Sequence, residues 1–458
     1  MAQKLLLRNG RIAIPSTPQQ VLEGHSLLME NGMIARIAPA SDVSAPGAEV
    51  IDARGKLVLP GFINAHTHLY STFACGLNQV PASKDFFEVL NHLWWRLDKA
   101  LTLDECYAGA LPTLIACIRS GTTTIIDHHS SPSAIRGSLD ALARAADLTG
   151  LRACLCYEVS DRDGEEKALQ GIAENREFLT AQTSEAPVSE SLSSASLKRG
   201  VDKVRGLFGL HASFTLSDRT LENAACTARD AGSGVHIHVA ESEMDQQSTL
   251  AAHKIRVVHR LHRFGLLGPS SIAAHCVHVD DSERDLLASS GTAVVHNPQS
   301  NLNNAVGIAD VVDLKRRGAL VGLGTDAMTT DMREELRTGL WAQRWRQHAP
   351  SAGFGELTSA LWDANPAIAS RIWGRDLGLL REGAVADIVL VDYDPPTPLT
   401  SATLAGHLVF GMMRGRVDTT IVGGRVLMQN GELKLDLDEK EVMAHARESA
   451  KRVWGRIQ

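Results

Sequence analysis

The stretch that decides the fold is Pro60-Gly-Phe-Ile-Asn-Ala-His-Thr-His-Leu69, a short apolar strand that carries two histidines. Residues i and i+2 of a strand share a face and lie about 6.6–6.8 Å apart, so His66 and His68 can both reach one ion. The surrounding residues 57–83 contain no Asp, Glu, Lys or Arg, but their histidine and amide side chains exclude a membrane span. The segment is therefore predicted to be a protein interior that tolerates histidine. A histidine pair bonded to backbone carbonyls stays open as the alternative.

Seven more strand candidates follow in the middle of the chain, with helical stretches between them. The eight strands are predicted to end near His66, Asp127, Tyr157, His211, His238, His275, His296 and Asp326. Their span agrees with the roughly 250 residues typical of an eightfold β/α barrel. A doubly wound sheet is the alternative, but no Gly-x-Gly-x-x-Gly follows any of these strands. The predicted fold class is α/β, with a (β/α)8 TIM barrel.

Both ends of the chain differ from this middle, because they consist of short strands joined by tight turns. Pairs such as Asn31-Gly32 near the start and Asn430-Gly431 near the end are typical of hairpin turns. We therefore expect one small β-sandwich domain assembled from both termini. The predicted domains are residues 1–58 for the first part of the sandwich, residues 59–379 for the barrel, and residues 380–458 for the rest of the sandwich and a C-terminal helix.

Composition limits the possible partners and compartment. The 458 residues have a formal net charge of -7 and no local stripe of Lys and Arg, which argues against a nucleic-acid partner. The seven cysteines are odd in number and scattered, as expected of reduced thiols in the cytoplasm. The first apolar run is too short for a signal peptide, so no membrane association is predicted. Residues 181–200 are rich in serine and are expected to be a solvated connection.

Further metal-ligating residue types stand at later strand ends. His236-Ile-His238 repeats the geometry of the first pair, Glu241 lies just beyond it, and Asp326 follows the last strand. Three neutral imidazoles and one carboxylate suit Zn²⁺ or Fe²⁺ and leave a coordination position for water. A bound divalent cation can lower the pKa of that water to about 7 and so supply hydroxide at neutral pH.

These motifs, taken in order, resemble the amidohydrolase superfamily, and specifically its mononuclear cytosine-deaminase-like branch, also called the ATZ/TRZ branch. The resemblance rests on PGFINAHTHL, HIHVAE, AAHCVH, HNPQSN and GLGTDA, and it includes the β-sandwich sequences at both termini. Asp127-His-His129 and Ser300-Asn-Leu-Asn-Asn304 are most similar to the SsnA-type aminohydrolases. The 8-oxoguanine deaminases are more distant, since they have a glutamine where this chain has Ser71.

The resemblance implies a role for each matching residue. It makes His66, His68, His238 and Asp326 the ligands of one divalent metal ion, Zn²⁺ with Fe²⁺ as the alternative. It also implies that Glu241 protonates a ring nitrogen, that His275 polarises the attacking hydroxide or the developing oxyanion, and that Asp326 accepts the proton of the water. A single metal is expected because His211 stands where binuclear relatives have a lysine. His236 is expected to lie deeper in the barrel.

Five residues are predicted to contact the substrate, each with a structural alternative. His211 resembles a substrate-contacting position of the branch, and a structural histidine is almost as good an interpretation. One of His128 and His129 is expected to face the mouth of the barrel. Trp94 could wall a flat heterocycle, although paired aromatics on a helix more often serve packing. Asn301 could bond the substrate edge or stabilise a turn.

The predicted function is hydrolytic deamination of an aromatic nitrogen heterocycle, a purine or a close analogue, by an enzyme that acts on C–N bonds. An s-triazine hydrolase that releases chloride or an alkylamine is the enzymatic alternative. A non-catalytic metal-binding protein is the third interpretation, but it has no use for Glu241 and His275 beside a complete ligand set. The expected partners are a small heterocyclic substrate and further copies of the chain, in a homodimer or a larger homo-oligomer.

Overall fold

A computed structural model describes residues 4–78, 80–183 and 203–457 of the chain. Of the predicted connection at residues 181–200, residues 184–200 lie outside the described residues, and residues 181–183 belong to the end of a helix.

The strands of the described ranges form four sheets. They are β1 (Lys4–Arg8), β2 (Arg11–Ile14), β3 (Gln20–Leu22), β4 (His25–Glu30), β5 (Met33–Pro39), β6 (Glu49–Asp52), β7 (Lys56–Pro60), β8 (Phe62–Thr67), β9 (Thr122–Asp127), β10 (Arg152–Leu155), β11 (Val204–Gly206), β12 (Phe208–Ala212), β13 (Val235–Val239), β14 (Ile272–His275), β15 (Ala293–His296), β16 (Val321–Leu323), β17 (Ile388–Asp392), β18 (Val417–Val422), β19 (Arg425–Gln429) and β20 (Glu432–Leu433).

The α-helices alternate with strands through the middle of the chain. They are α1 (Phe86–Val89), α2 (Trp95–Lys99), α3 (Leu103–Ser120), α4 (Ser138–Thr149), α5 (Glu165–Thr183), α6 (Asp218–Asp230), α7 (Glu243–His253), α8 (Val257–Arg263), α9 (Asp281–Ser290), α10 (Pro298–Asn303), α11 (Val311–Arg316), α12 (Met332–Gln347), α13 (Phe354–Ser359), α14 (Asn365–Trp373), α15 (Leu404–Gly406) and α16 (Glu439–Arg456).

Two parallel sheets form the centre of the molecule, with strand orders β11-β10-β9-β8 and β12-β13-β14-β15-β16. Every residue of β8, β9, β10 and β12 to β16 is buried, as expected of parallel strands that helices cover on the outside. The predicted strand ends fall within three residues of the observed ones.

Hydrogen bonds join the two parallel sheets at both pairs of edges. At one seam, the backbone N–H groups of Thr325 and Asp326 donate to the carbonyl of His66 over 2.9 and 3.0 Å. At the other, Val159 N–H donates to Gly209 O over 3.2 Å and His211 N–H donates to Val159 O over 2.9 Å. The carboxyl ends of all these strands therefore surround one region.

The remaining two sheets contain strands from the two ends of the chain. Their orders are β5-β4-β1-β6 and β20-β19-β18-β17-β7-β2-β3, and β7 pairs antiparallel with β17. At Gly61 the chain leaves β7 and enters β8, the first strand of the parallel sheets. A Cβ at Gly61 would lie 2.2 Å from Thr123 Oγ1, so only glycine permits this close approach. The terminal sheets thereby set the position of the strand that carries His66.

Helix α3 is long and apolar, with ten buried residues. A capping box between Thr102 and Glu105 begins it, and Gly121 with φ of 80° ends it. Among the described helices, none by itself has the length and apolar character needed to cross a membrane. The segments Phe86–Lys99 and Leu103–Ser120 meet that criterion only as a pair, bent by 112°.

Candidate functional site

The structure brings the four predicted metal ligands together at the carboxyl ends of β8, β13 and β16. Asp326 Oδ1 lies 2.8 Å from His68 Nε2 and 3.4 Å from His66 Nε2. His238 Nε2 lies 3.3 Å from His68 Nε2. One ligand atom from each of the four residues lies within 4.8 Å of the other three. This is the spacing of donors that can share one cation.

The outer ring nitrogens are held by neighbouring groups, so that each Nε2 faces the centre. His68 Nδ1 donates to the carbonyl of His128 over 2.5 Å, and His238 Nδ1 donates to the carbonyl of His211 over 3.0 Å. A neutral imidazole that donates through Nδ1 has a lone pair on Nε2, which is the form that binds a metal.

His66 completes the same arrangement. Its Nδ1 contacts His236 Nε2 at 2.9 Å, and His236 is fully buried, as expected of a residue deeper among the strands. The buried Nε2 of His66 has no hydrogen-bond partner in the described structure. A buried, unpaired nitrogen beside a carboxylate fits a divalent cation, which would satisfy it.

Electrostatics favours the metal-binding forms of three of these groups. Burial lowers the pKa of His66 to about 4 and lowers the pKa of His238 well below its ordinary value. Burial would raise the pKa of Asp326, but the adjacent imidazoles of His66 and His68 hold it well below its ordinary value. At neutral pH, two imidazoles are therefore neutral and the carboxylate is ionised.

His68 differs from the other two imidazoles. Burial lowers its pKa, but the adjacent Asp326 carboxylate outweighs this effect and raises the pKa to about 9. A cation bound by the cluster would take the place of this proton, so metal binding is expected to release it.

Glu241 and His275 lie beside the four-residue cluster, with Glu241 Oε2 3.6 Å from His275 Nε2. Burial, together with the carboxylate of Asp326, raises the pKa of Glu241 well above its ordinary value. Burial lowers the pKa of His275 to about 3. These shifts favour the protonated form of Glu241, which can donate a proton, and the neutral imidazole form of His275.

The backbone at these strand ends adopts conformations that are unusual outside glycine. Ala240, His275 and Asp326 have φ angles of 46°, 73° and 55°. Non-glycine residues in this left-handed region are strained, and they persist where the surrounding structure determines them. The three residues lie at or just after the ends of β13, β14 and β16. The chain turns there, so that Glu241, His275 and Asp326 face one another.

Helix α10 and the residue after it contact each of the three groups that face one another. Ser300 Oγ donates to Asp326 Oδ2 over 2.5 Å, and Asn304 Nδ2 donates to Glu241 Oε1 over 3.5 Å. The Asn301 amide nitrogen lies 2.8 Å from His275 Nδ1. The structure therefore places Asn301 behind His275 rather than at the predicted substrate edge. No sequence pattern predicts these contacts of Ser300 and Asn304, although both residues belong to the Ser-Asn-Leu-Asn-Asn motif.

We expect Ser300→Ala to lower kcat by about 10- to 100-fold with little change in KM. A hydrogen bond to a charged group contributes about 1.5–3 kcal/mol, and about 1.4 kcal/mol corresponds to a factor of ten. Without this bond, Asp326 Oδ2 is no longer held in place. Steady-state kinetics on enzyme of equal metal content tests the prediction, with the exposed Ser289→Ala as the control. A raised KM with unchanged kcat would show that Ser300 does not position Asp326.

A cavity opens beside the four-residue cluster, and only some of the predicted substrate-contacting residues line it. His211 and Trp94 line the cavity, as do Tyr70 and Trp95. His128 and His129 are fully buried instead.

Both of these buried histidines are held by neighbours outside the cavity. His128 Nε2 donates to the carbonyls of Leu210 and His236 over 3.0 and 3.2 Å. His129 Nε2 lies 3.0 Å from Ser131 Oγ. The structure thus gives this pair a supporting position, which differs from the prediction that one of them faces the mouth.

Glu158 is a cavity-lining residue that the sequence analysis did not identify. Its Oε2 lies 3.3 Å from His128 Nδ1 and its Oε1 lies 3.9 Å from His211 Nε2. Burial would raise its pKa, but His211 and His128 lower it below its ordinary value. The only signal in the sequence is its place just after the strand end at Tyr157, where a barrel presents its functional residues.

A parallel α/β core whose strand ends present three imidazoles and a carboxylate, with an acid and a neutral imidazole beside them, defines the class of metal-dependent hydrolases. The Amidohydrolase family matches residues 57–427, and the chain belongs to that family. The predicted resemblance is thereby confirmed.

Two curated relatives span nearly the whole chain. A 5'-deoxyadenosine deaminase from Methanothermobacter thermautotrophicus is 34% identical over 94% of this chain and 95% of its own length. A 5-methylthioadenosine/S-adenosylhomocysteine deaminase from Pelotomaculum thermopropionicum is 30% identical over 99% of both chains.

Solved structures share the fold. An adenosine deaminase from Xanthomonas campestris with bound zinc has a TM-score of 0.82 and 23% identity over 98% of both chains. The atrazine chlorohydrolase TrzN from Arthrobacter aurescens, complexed with zinc, has a TM-score of 0.80 and 21% identity over 97% of this chain and all of its own.

Proposed function

We propose that this protein is a metal-dependent hydrolase that removes the exocyclic amine of an aromatic nitrogen heterocycle, a purine or an analogue. The observation that carries the proposal is that ligand atoms of Glu241, His275 and Asp326 lie within 4.8 Å of one another, where burial also raises the pKa of Glu241. Deamination needs an acid for the ring nitrogen and an activated water at one place. The names of the deaminase relatives support the same reaction.

We propose that His66, His68, His238 and Asp326 hold one Zn²⁺, with Fe²⁺ as the alternative. The zinc in the structure of the Xanthomonas campestris adenosine deaminase supports this choice. When bound, the cation supplies Lewis-acid activation of a water molecule at neutral pH.

The protein's own groups provide the proton transfers. The carboxylic acid of Glu241 donates to the ring nitrogen next to the reacting carbon, which makes that carbon a better electrophile. Asp326 accepts the proton of the attacking water, and His275 stabilises the oxygen as negative charge develops on it. One water is consumed, the C–N bond to the exocyclic amine breaks, and ammonia leaves.

We further propose that the two parallel sheets form one closed (β/α)8 barrel over residues 59–379, with residues 1–58 and 380–458 forming the β-sandwich domain and the C-terminal helix. The hydrogen bonds from Asp326 to His66 and from His211 to Val159 support closure at the two seams. A cytoplasmic location and a homo-oligomer, at least a dimer, belong to the same proposal. The free state of the cysteines supports the location.

An ammonia-release screen tests the function directly. Enzyme of measured metal content is incubated with purines, pterins, pyrimidines and s-triazines, and ammonia and chloride are both quantified. We expect ammonia from at least one aromatic N-heterocycle, and loss of that activity after chelation. Release of chloride or an alkylamine from a triazine, with no ammonia from any other ring, would instead support the s-triazine hydrolase. Full activity after chelation would contradict the role of the metal.

A further inference from the structure

Glu158 presents an incompletely paired carboxylate to the cavity, although only 4% of its side chain is exposed. Its contacts with His128 and His211, at 3.3 and 3.9 Å, are longer than the roughly 2.7–2.9 Å of strong charged hydrogen bonds. No other donor among the described residues bonds to its oxygens. Since a carboxylate has about four acceptor sites, most of its capacity is available to a molecule in the cavity.

The carboxylate of Glu158 lies close to the proposed metal ligands, and therefore close to the place where the substrate ring would react. Ligand atoms of Glu158, His128 and His238 lie within 4.8 Å of one another. His238 is also a proposed metal ligand, with its Nε2 3.3 Å from that of His68. A group this close to the four proposed metal ligands is placed to contact the ring that reacts there. A sugar attached to the far side of a purine would lie further from these ligands.

Glu158 and Glu241 are two of the carboxyl groups that line the cavity, and they lie on different sides of His238. Glu241 contacts His275, which ends β14, whereas Glu158 lies beside His211 in β12. Strand β13, which carries His238, lies between β12 and β14 in the sheet. A flat ring at the cluster therefore meets an acid along one edge and a carboxylate that can only accept hydrogen bonds along another.

We propose that Glu158 binds substrate by accepting a hydrogen bond from a ring N–H next to the reacting carbon, and that the substrate contains a cyclic guanidine unit, –NH–C(NH2)=N–. The inference rests on the proposed deaminase function and names its substrate class. Glu241 donates to the =N– atom, and Glu158 accepts from the –NH– group on the other side of the same carbon. This unit occurs in 2-amino-oxo rings of the guanine and pterin type.

The reaction balances without a further reactant. The unit –NH–C(NH2)=N– and one water give –NH–C(=O)–NH– and ammonia. A C–O bond forms and the C–NH2 bond breaks. One proton of the water goes to the ring nitrogen and the other goes to the departing amine.

Rings of the adenine type fit this edge poorly. Their reacting carbon has a ring nitrogen on one side and a ring carbon on the other, so no N–H faces Glu158. A buried carboxylate left without a donor destabilises the complex, and sites built around a hydrogen bond reject analogues that lack it. Two relatives are nevertheless named as deaminases of 5'-deoxyadenosine and of 5-methylthioadenosine/S-adenosylhomocysteine. An adenine nucleoside is therefore included in the experiment.

Guanine and 2-aminopurine form the decisive substrate pair, because 2-aminopurine keeps the 2-amino group but has no N1–H and adds no bulk. We expect the metal-loaded wild type to prefer guanine by about 100-fold or more in kcat/KM. Glu158→Gln and Glu158→Ala are expected to reduce that ratio at least about tenfold. Pterin and 5'-deoxyadenosine extend the comparison to a second guanidine-type ring and to an adenine nucleoside.

The ratio within each variant is independent of how much enzyme folds or binds metal, because both substrates report on the same sample. The matched control is Glu166→Gln, at an exposed glutamate of α5 whose side chain, within the described ranges, bonds only Gln170, and it should keep the wild-type ratio. An unchanged ratio in Glu158→Ala, or a wild-type preference for 5'-deoxyadenosine, would overturn the inference while leaving a deaminase. Ammonia from none of the rings would contradict the proposed function itself.

Discussion

Replacing Glu241 with glutamine is expected to lower kcat by about 100-fold or more, because an amide cannot deliver the proton that a positioned general acid supplies. Glu241 is set up for this task by its surroundings, since burial and Asp326 raise its pKa well above the ordinary value. Glutamine has nearly the same shape and can still contact Asn304. The metal content of the variant should therefore stay at the wild-type level, and only turnover should fall.

The measurement combines steady-state ammonia release with metal analysis of the same preparation. Glu243→Gln is the matched control, since this exposed residue lies two positions further along the chain in the first turn of α7. It should keep wild-type kinetics. Unchanged turnover in Glu241→Gln would remove this residue from the mechanism.

Replacing His238 with alanine is expected to lower activity by another route, which is loss of the metal ion. Substitution of a residue that only orients a metal ligand lowers metal affinity or activity by about 10- to 100-fold. Loss of a ligand itself should therefore lower activity by at least about 100-fold. His238 lines the cavity together with His68 and Asp326, and its Nδ1 donates to the carbonyl of His211.

Metal content per chain and kcat are the two readouts for His238→Ala. His262→Ala is the control, because His262 is an exposed histidine on α8. Added Zn²⁺ should not restore His238→Ala at concentrations that saturate the wild type. A variant that binds one metal per chain and retains wild-type turnover would rule out His238 as a ligand.

Much of the candidate metal site can be predicted from local patterns in the sequence. The spacing of two residues puts His66 and His68 on one face of a strand, and the apolar residues before Asp326 indicate another buried strand. Parallel strands bring their carboxyl ends to one edge, so residues far apart in the chain were expected to meet there. The prediction of His238 rather than His236 as a ligand rests on family resemblance, and in the structure His236 Nε2 contacts Nδ1 of His66.

Substrate contacts were harder to predict, because side-chain direction at a strand end depends on neighbours. Asn301, His128 and His129 all have residue types that suit a heterocycle, yet each makes its nearest contact with a protein group. Their polar atoms are used to hold His275, Leu210 and Ser131. Residue type alone cannot distinguish a group that binds substrate from one that supports a binding group.

Strand periodicity and motif order in the sequence were enough to predict the class of fold, the family and a set of candidate metal ligands, because these patterns can be recognised along the chain without its fold. Which side chains face the cavity depends instead on the tertiary structure. The proposed role of Glu158 depends on His128, which follows β9, and on His211, which lies in β12, whereas that of Ser300 depends on Asp326. Hydrogen bonding and charge act through distances of a few ångströms, and folding sets those distances between residues that no local pattern connects.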